Sequence, residues 1–346
     1  MDSIKILIAD SSPVYKKMFQ RAIGEVDKNV LVTCVSDGKD ATVNILRKSP
    51  DVVIVDAEIK ETGLLDLLKL IMESAPKTFV LVTARPSSTT AKVFMEALSA
   101  GASDSMTKPV NDSYSDNIEA IKAKMSDIIG IQRTSAEPTP KADRATKKST
   151  APPERKFRPQ IILIASSTGG PRALETVIPE LRPDIPVPIL IVQHMPPHFI
   201  ETLAERLDTI SKLKVKVAAN GEMITGGTVY IAPGGIHMRL SNDNEIYLDD
   251  SPPLNGVRPA ADALFESVAE DFAGSRILAV VLTGMGQDSM RGLKKLKDKK
   301  KCYCLAQSEK TCVVYGMPRV VIEEGLADKI LDLPQIAPEI EGFNYT

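Results

Sequence analysis

The chain has 346 residues, a length that suits about two domains, each large enough for its own core. Hydrophobic residues at 43% and charged residues at 25% are ordinary for a globular protein, and a net charge of −2 gives no general attraction for nucleic acid or anionic lipid. Trp is absent and aromatics are 4%, which argues against base-stacking platforms. No apolar run approaches the ~18–20 residues of a membrane span and the N-terminus lacks signal-peptide regions, so no membrane insertion and a cytoplasmic location are expected.

From Ile4 to about Ile131, short aliphatic runs alternate with amphipathic stretches. Ile4–Ala9, Val30–Val35, Val52–Val55, Phe79–Thr83 and Ser103–Met106 read as strands. Ser12-Pro13 reads as the cap and first turn of a helix presenting Val14, Met18 and Phe19 on one face. Five strand–helix repeats in about 130 residues predict a doubly wound parallel sheet. Residues 1–132 form this first domain. Residues 133–158 are rich in Pro, Thr, Ala, Lys and Arg, with Phe157 the one large apolar side chain, and read as a flexible linker spanning roughly 28 Å root-mean-square.

Residues 159–346 resume the alternation. Strands are expected at Ile161–Ile164, Pro188–Val192, Val215–Ala218, Ile277–Leu282 and Cys302–Ala306. Val229–Ala232, Met238–Leu240 and Glu245–Leu248 read as an antiparallel insertion. Helices are expected at Arg172–Leu181, Phe199–Leu207, Ala260–Phe272 and Met290–Leu296. Cys34, Cys302, Cys304 and Cys312 sit in apolar surroundings that suit reduced core thiols, with no zinc-ligand spacing.

In doubly wound sheets, ligands bind beyond the carboxyl ends of the strands. In the first domain those ends carry Asp10, Asp56, Thr83 and Lys108, two acids, a hydroxyl and an ammonium. An aspartyl carboxylate can attack phosphorus, while a divalent metal and a lysine offset charge on the phosphoryl oxygens. This set, in this order, resembles the response-regulator receiver domain, a flavodoxin-like fold. The resemblance implies Asp56 as phosphoacceptor, Asp10, Asp56 and Glu58 (through its backbone carbonyl) as the Mg²⁺ site, Thr83 as switch hydroxyl and Lys108 as phosphoryl-contacting lysine. Receivers usually carry two adjacent acids after the first strand. Here the second position is Ser11, which removes a negative charge beside the metal, and Lys60 replaces a common proline.

The second domain is organised around Ile161-Ile162-Leu163-Ile164-Ala165-Ser166-Ser167-Thr168-Gly169-Gly170-Pro171, a doubly buried strand, a Gly-rich turn and a helix start. Ser167 at the crest is either an N-cap or a nucleophile beside backbone N–H groups. His194 ends the next strand. If the two strands are neighbours, its imidazole can exchange a proton with the Ser167 hydroxyl. Asp288 follows another strand and Gly-rich turn, where it either caps the helix from Met290 or orients His194. The turn also imitates a dinucleotide fingerprint, poorly, because Ser289 stands at its last position. His198 and His237 have no evident partner.

Ser167-Thr168-Gly169-Gly170-Pro171, Gln193-His194-Met195-Pro196, Tyr230-Ile231-Ala232-Pro233-Gly234-Gly235, Asn255-Gly256-Val257-Arg258-Pro259, Leu282-Thr283-Gly284-Met285-Gly286 with Asp288, and Tyr315-Gly316-Met317-Pro318 are similar to blocks of the CheB family of chemotaxis protein-glutamate methylesterases. The resemblance implies Ser167 as nucleophile, His194 as base and acid, Asp288 as its orienting carboxylate, the Met285 N–H as oxyanion donor and Thr168 as support. It implies methylated chemoreceptors as substrate, with glutamine deamidation as a second activity, no cofactor for the ester step, and a chemotaxis histidine kinase as phosphodonor. The unphosphorylated receiver is then expected to cover the catalytic rim. Two departures occur, Ala165 for a usual glycine before the nucleophile and Ser289 for the glycine after Asp288. A methyl at 165 is expected to crowd the turn, and Ser166 to face away from the site. The alternatives are a receiver-containing adaptor without catalysis, and a nucleotide-dependent enzyme using the Gly284 turn.

Overall fold

The computed structural model describes residues 3–136, 157–241, 243–271, 276–299 and 302–345. The chain divides into two compact units, Met1–Lys148 and Ser149–Thr346. The expected linker, 133–158, falls mostly on residues 137–156, outside the described ones. At its two ends the structure differs from the expectation. The helix that begins at Tyr114 runs on to Ala136. Phe157 packs into a ring cluster, its centroid 5.8 Å from Tyr303 and 6.0 Å from Phe343.

The first unit holds β1 (Lys5–Ala9), β2 (Leu31–Val35), β3 (Val52–Asp56), β4 (Phe79–Ala84) and β5 (Asp104–Thr107), all parallel, in the order β2-β1-β3-β4-β5. Every residue of β3 and β4 is buried, as expected for a parallel sheet covered on both faces. The strand order reverses direction between β1 and β3, so the crevice of the switch point opens at Asp10 and Asp56. The helix Pro13–Val26 starts as its sequence predicts: the Ser12 hydroxyl accepts from the Tyr15 N–H and Pro13 occupies the first turn. Its inward stripe is Met18, Phe19, Ala22 and Ile23. Val14, expected on that stripe, is 55% exposed, because the first turn stands at the carboxyl rim of the sheet.

The second unit holds β6 (Ile161–Ser166), β7 (Ile189–Gln193), β8 (Lys214–Val217), β9 (Thr228–Ile231), β10 (His237–Leu240), β11 (Ile246–Asp249), β12 (Ile277–Val281), β13 (Cys302–Gln307) and β14 (Lys329–Leu331). Its parallel sheet runs β14-β13-β12-β6-β7-β9-β8. The antiparallel insertion is smaller than expected: among the described residues its paired strands are β10 and β11, extended by a single bridge between Met223 and Glu245. Val229–Ala232, read as part of it, belongs to the main sheet, where β9 lies parallel to both β7 and β8. Strand type was readable from the side chains, but β9's partners lie far along the chain. The β14 edge strand and the helices Met317–Glu323 and Leu333–Glu341 add to the expected elements. All six residues of β6 are buried, and β6 stands between β12 and β7. That central place lets the loops after three adjacent strands meet over one rim.

Candidate active site

At the rim of the first unit, Lys108 Nζ lies 2.6 Å from Asp10 Oδ2 and 3.0 Å from Asp56 Oδ2, with all three side chains nearly inaccessible. The ammonium also sits over the Tyr15 ring, 4.7 Å from its centroid, and the Tyr15 hydroxyl donates to the Pro109 carbonyl. Burial pushes the Asp56 carboxyl up; Lys108 opposes this and the Asp10 charge adds to it. Thr83, fully buried, donates to the Val55 carbonyl at 3.4 Å. The Glu58 carboxylate points to solvent and pairs with Arg85 at 2.8 Å, so only its backbone carbonyl is left to serve a cation.

One observation bears on a metal at this rim. Apart from its ion pair with Lys108, Asp10 Oδ2 is buried without a hydrogen-bond partner among the described residues. Asp10, Asp56 and the Glu58 carbonyl are hard oxygen donors of the kind Mg²⁺ takes, so the residues fit the ion. Ser11 is exposed. Among the described residues no group of three or more His, Cys, Asp or Glu side chains could hold a metal, so the ion's remaining positions fall to carbonyls and water.

In the second unit, β6 and β7 are adjacent and parallel, with Ser166 in register with Gln193. Ser167 and His194 are therefore the next residues at two neighbouring strand ends, and the His194 N–H donates to the Ser166 carbonyl at 3.2 Å. Asp288 arrives from the loop after β12, on the other side of β6. His194 Nε2 lies 2.7 Å from Asp288 Oδ2, the imidazole being 11% exposed. Burial alone would raise the Asp288 carboxyl. The hydrogen bond from His194, the charge of that ring when it is protonated, and the N–H donors of Asp262 and Ala261 outweigh it and hold the carboxyl below the usual range. An ionised Asp288 can only accept, so Nε2 carries the proton and Nδ1 keeps the lone pair that a serine hydroxyl needs.

Asp288 does not cap the helix from Met290, the alternative its local sequence offered. Its oxygens take the N–H groups of Ala261 (2.5 Å) and Asp262 (2.9 Å), the first turn of the helix Ala261–Asp271. That position gives the carboxylate orphan donors and the positive end of a helix dipole. The loop after β12 presses on the nucleophile. A Cβ on Gly284 would stand 2.8 Å from the Ser167 Cβ and 2.4 Å from the Met317 sulfur, so only glycine fits. The next residue, Met285, offers a backbone N–H with no acceptor among the described residues. The Thr283 hydroxyl ties the surrounding loops together, donating to the Thr168 carbonyl at 2.9 Å and accepting from the Val314 N–H at 2.9 Å.

The CheB methylesterase family matches residues 162–340, and the response regulator receiver domain family matches residues 6–129. The chain belongs to the CheB methylesterase family. It is 39% identical to a protein-glutamate methylesterase/protein-glutamine glutaminase of Syntrophomonas wolfei, over 97% of this chain and 98% of that one. It is 36% identical to the protein of the same name from Thermotoga maritima, over 97% of each. The crystal structure of the Thermotoga maritima CheB methylesterase catalytic domain, 45% identical, covers 53% of this chain and 98% of that one with a TM-score of 0.50. No described helix is long and apolar enough to cross a membrane.

The two departures from the CheB pattern have different consequences. Ala165 does not crowd the turn: it lies inside β6 and its methyl packs in the core with Val192 and Val281. Ser289 does bear a cost. It adopts φ 86°, the left-handed region that favours glycine, and its buried hydroxyl has no partner among the described residues. Ser289→Gly is expected to stabilise the second unit by about 1 kcal/mol, raising its melting temperature by roughly 3 °C in calorimetry. An unchanged or lower melting temperature would contradict this.

Sequence reasoning missed Asn255, whose amide nitrogen lies 2.8 Å from Asp262 Oδ2 and 3.3 Å from Asp288 Oδ1. It separates two buried carboxylates, and Asp262, raised first by burial and further by the charge of Asp288, is the one left nearer to protonation. The block Asn255-Gly256 was visible, but its partner at 288 was not. Of the other histidines, His237 is buried, accepting from the Ala260 N–H at Nδ1 and facing the Pro252 carbonyl through Nε2. Burial lowers it and keeps it neutral, a structural role. His198 is exposed beside Glu201.

Proposed function

We propose that the second unit hydrolyses glutamate γ-methyl esters on chemoreceptors, with Ser167, His194 and Asp288 as its catalytic residues, under control of phosphorylation at Asp56. The observation that carries the reading is the buried His194–Asp288 pair at a strand end adjoining Ser167, in a chain of the CheB methylesterase family. His194 Nδ1 takes the Ser167 proton as Oγ attacks the γ-carbonyl carbon. The Met285 N–H receives the developing oxyanion, and Thr168 supports the turn that holds the nucleophile. The ester C–O bond breaks, methanol leaves with the proton from His194, and an acyl-serine remains. Water then attacks with the same base, and the γ-carboxylate departs from Ser167. With a receptor glutamine in place of the ester, the same steps release ammonia. No cofactor is needed for either reaction.

In the receiver, the Asp56 carboxylate takes a phosphoryl group from a chemotaxis histidine kinase. Asp10, Asp56 and the Glu58 carbonyl would hold Mg²⁺, which would supply positive charge against the phosphoryl oxygens; Lys108 contacts those oxygens, and Thr83 exchanges its Val55 partner for the new group. The site of action is the cytoplasm, where both partners present their substrates. Burial raises Asp56 in the metal-free receiver, and a bound cation would draw it down again. Phosphorylation by a small acyl phosphate should therefore fall when Mg²⁺ is chelated, checked by phosphoprotein gels; equal labelling with and without chelator would count against it. The test of the whole reading is methanol release from methylated receptor membranes, with and without phosphodonor. A protein that binds these membranes and releases none would be an adaptor.

A further inference from the structure

The residue before His194 is a glutamine whose side chain is 1% exposed, in a strand otherwise made of Ile189, Leu190, Ile191 and Val192. An aliphatic residue would fill that place with no polar group to satisfy, so a buried amide there needs a reason. Its nitrogen lies 2.9 Å from the Ser167 carbonyl oxygen and 3.2 Å from the His194 carbonyl oxygen. Its oxygen lies 2.7 Å from Ser166 Oγ, a hydroxyl that is itself fully buried. Carbonyl oxygens only accept, so the amide nitrogen must face them and the amide oxygen must face Ser166, which then donates. The amide cannot flip without facing oxygen toward oxygen twice.

We propose that Gln193 is a positioning residue that locks the nucleophile segment to the base segment, and that Ser166 supports it by satisfying its amide oxygen. This rests on the esterase reading above. One amide grips the peptide groups of both reacting residues, across two neighbouring strand ends, and so sets their separation. The Ser167 carbonyl is saturated, since the Gly170 N–H donates to it at 2.7 Å. The clamp also dictates Gly170: a Cβ there would stand 1.9 Å from the Gln193 amide oxygen. Neither Gln193 nor Ser166 touches substrate. They act through the backbone of Ser167 and His194.

The test is kinetic, on the full chain, with Gln193→Met and Ser166→Ala. Gln193→Met keeps the volume and removes the clamp. It is expected to lower kcat for methanol release by about 10²-fold, the scale of an ångström-sized misplacement, with KM within about twofold of the parent. Ser166→Ala leaves the amide on its two carbonyls but strips its buried oxygen of a donor, and should lower kcat by roughly tenfold with KM within about twofold of the parent and the melting temperature a few degrees lower. Because Gln193→Met can fail to fold, the Ser166→Ala result decides alone in that event. A second readout is the rate at which a fluorophosphonate labels Ser167, which needs no receptor. Parent protein that neither labels nor releases methanol overturns the esterase reading. Parent protein that does both, with variants that label and turn over at its rate, overturns the clamp and leaves that reading standing.

Discussion

Asp288→Asn is expected to lower methanol release by about 10⁴-fold, as loss of the orienting carboxylate does in hydrolytic triads. The reason is the direction of one proton. Asp288 Oδ2 accepts from both His194 Nε2 and the Ala261 N–H. An asparagine must put its NH₂ either in the place of Oδ2, facing both of them, or in the place of Oδ1, facing the Asp262 N–H and the Asn255 amide nitrogen. Facing the imidazole, it forces Nε2 to become the acceptor and puts the ring proton on Nδ1, where it blocks proton transfer from Ser167. In the place of Oδ1 it opposes the Asp262 N–H and the Asn255 amide nitrogen, two donors, and costs stability instead. Ser167→Ala, which keeps this network, should abolish turnover to a similar or greater extent while the melting temperature holds. Full activity in Ser167→Ala would end the proposed chemistry.

The same carboxylate has a pH signature. Its folded-state value is depressed, so the stability it confers is complete above the unfolded value near 3.9 and is lost as pH falls through the lower folded value. Nothing titrates at Asp288 near neutrality. A change in kcat/KM between pH 5 and 8 therefore reports other groups.

Removing residues 1–150 is expected to raise basal esterase activity and abolish its response to phosphodonor. If the unphosphorylated receiver keeps nine catalytic units in ten inactive, the rise is about tenfold. The catalytic unit can be tested alone, because the related Thermotoga maritima domain was solved as a chain that this protein covers to 98%. Asp56→Asn in the full chain should leave basal activity low and unresponsive. Equal activity with and without residues 1–150 would mean that the receiver does not restrain the esterase.

Much of the architecture was legible because β1, β3, β4, β6, β7 and β12 are aliphatic runs buried on both faces, a signal that needs no partner to be read. What failed was pairing. Val229–Ala232 reads as a strand either way, and only its distant neighbours make it parallel. The residues at strand ends were legible for the same reason as the strands. The second layer was not: Gln193, Ser166, Asn255 and Asp262 act through partners 26 to 33 positions away in several cases, and spacing does not encode which amide faces which carbonyl. Ser289 is the reverse case, a position whose φ requirement was signalled by the glycine it replaces.

The double duty of Asp288 bears on how such an enzyme could lose its activity. The Ser167 hydroxyl can vanish without disturbing any cap or core, whereas the carboxylate at 288 also holds down the leading turn of the helix Ala261–Asp271. A lineage drifting toward a silent scaffold would shed the alcohol first and retain the acid as masonry, so an aspartate surviving there is no proof of catalysis.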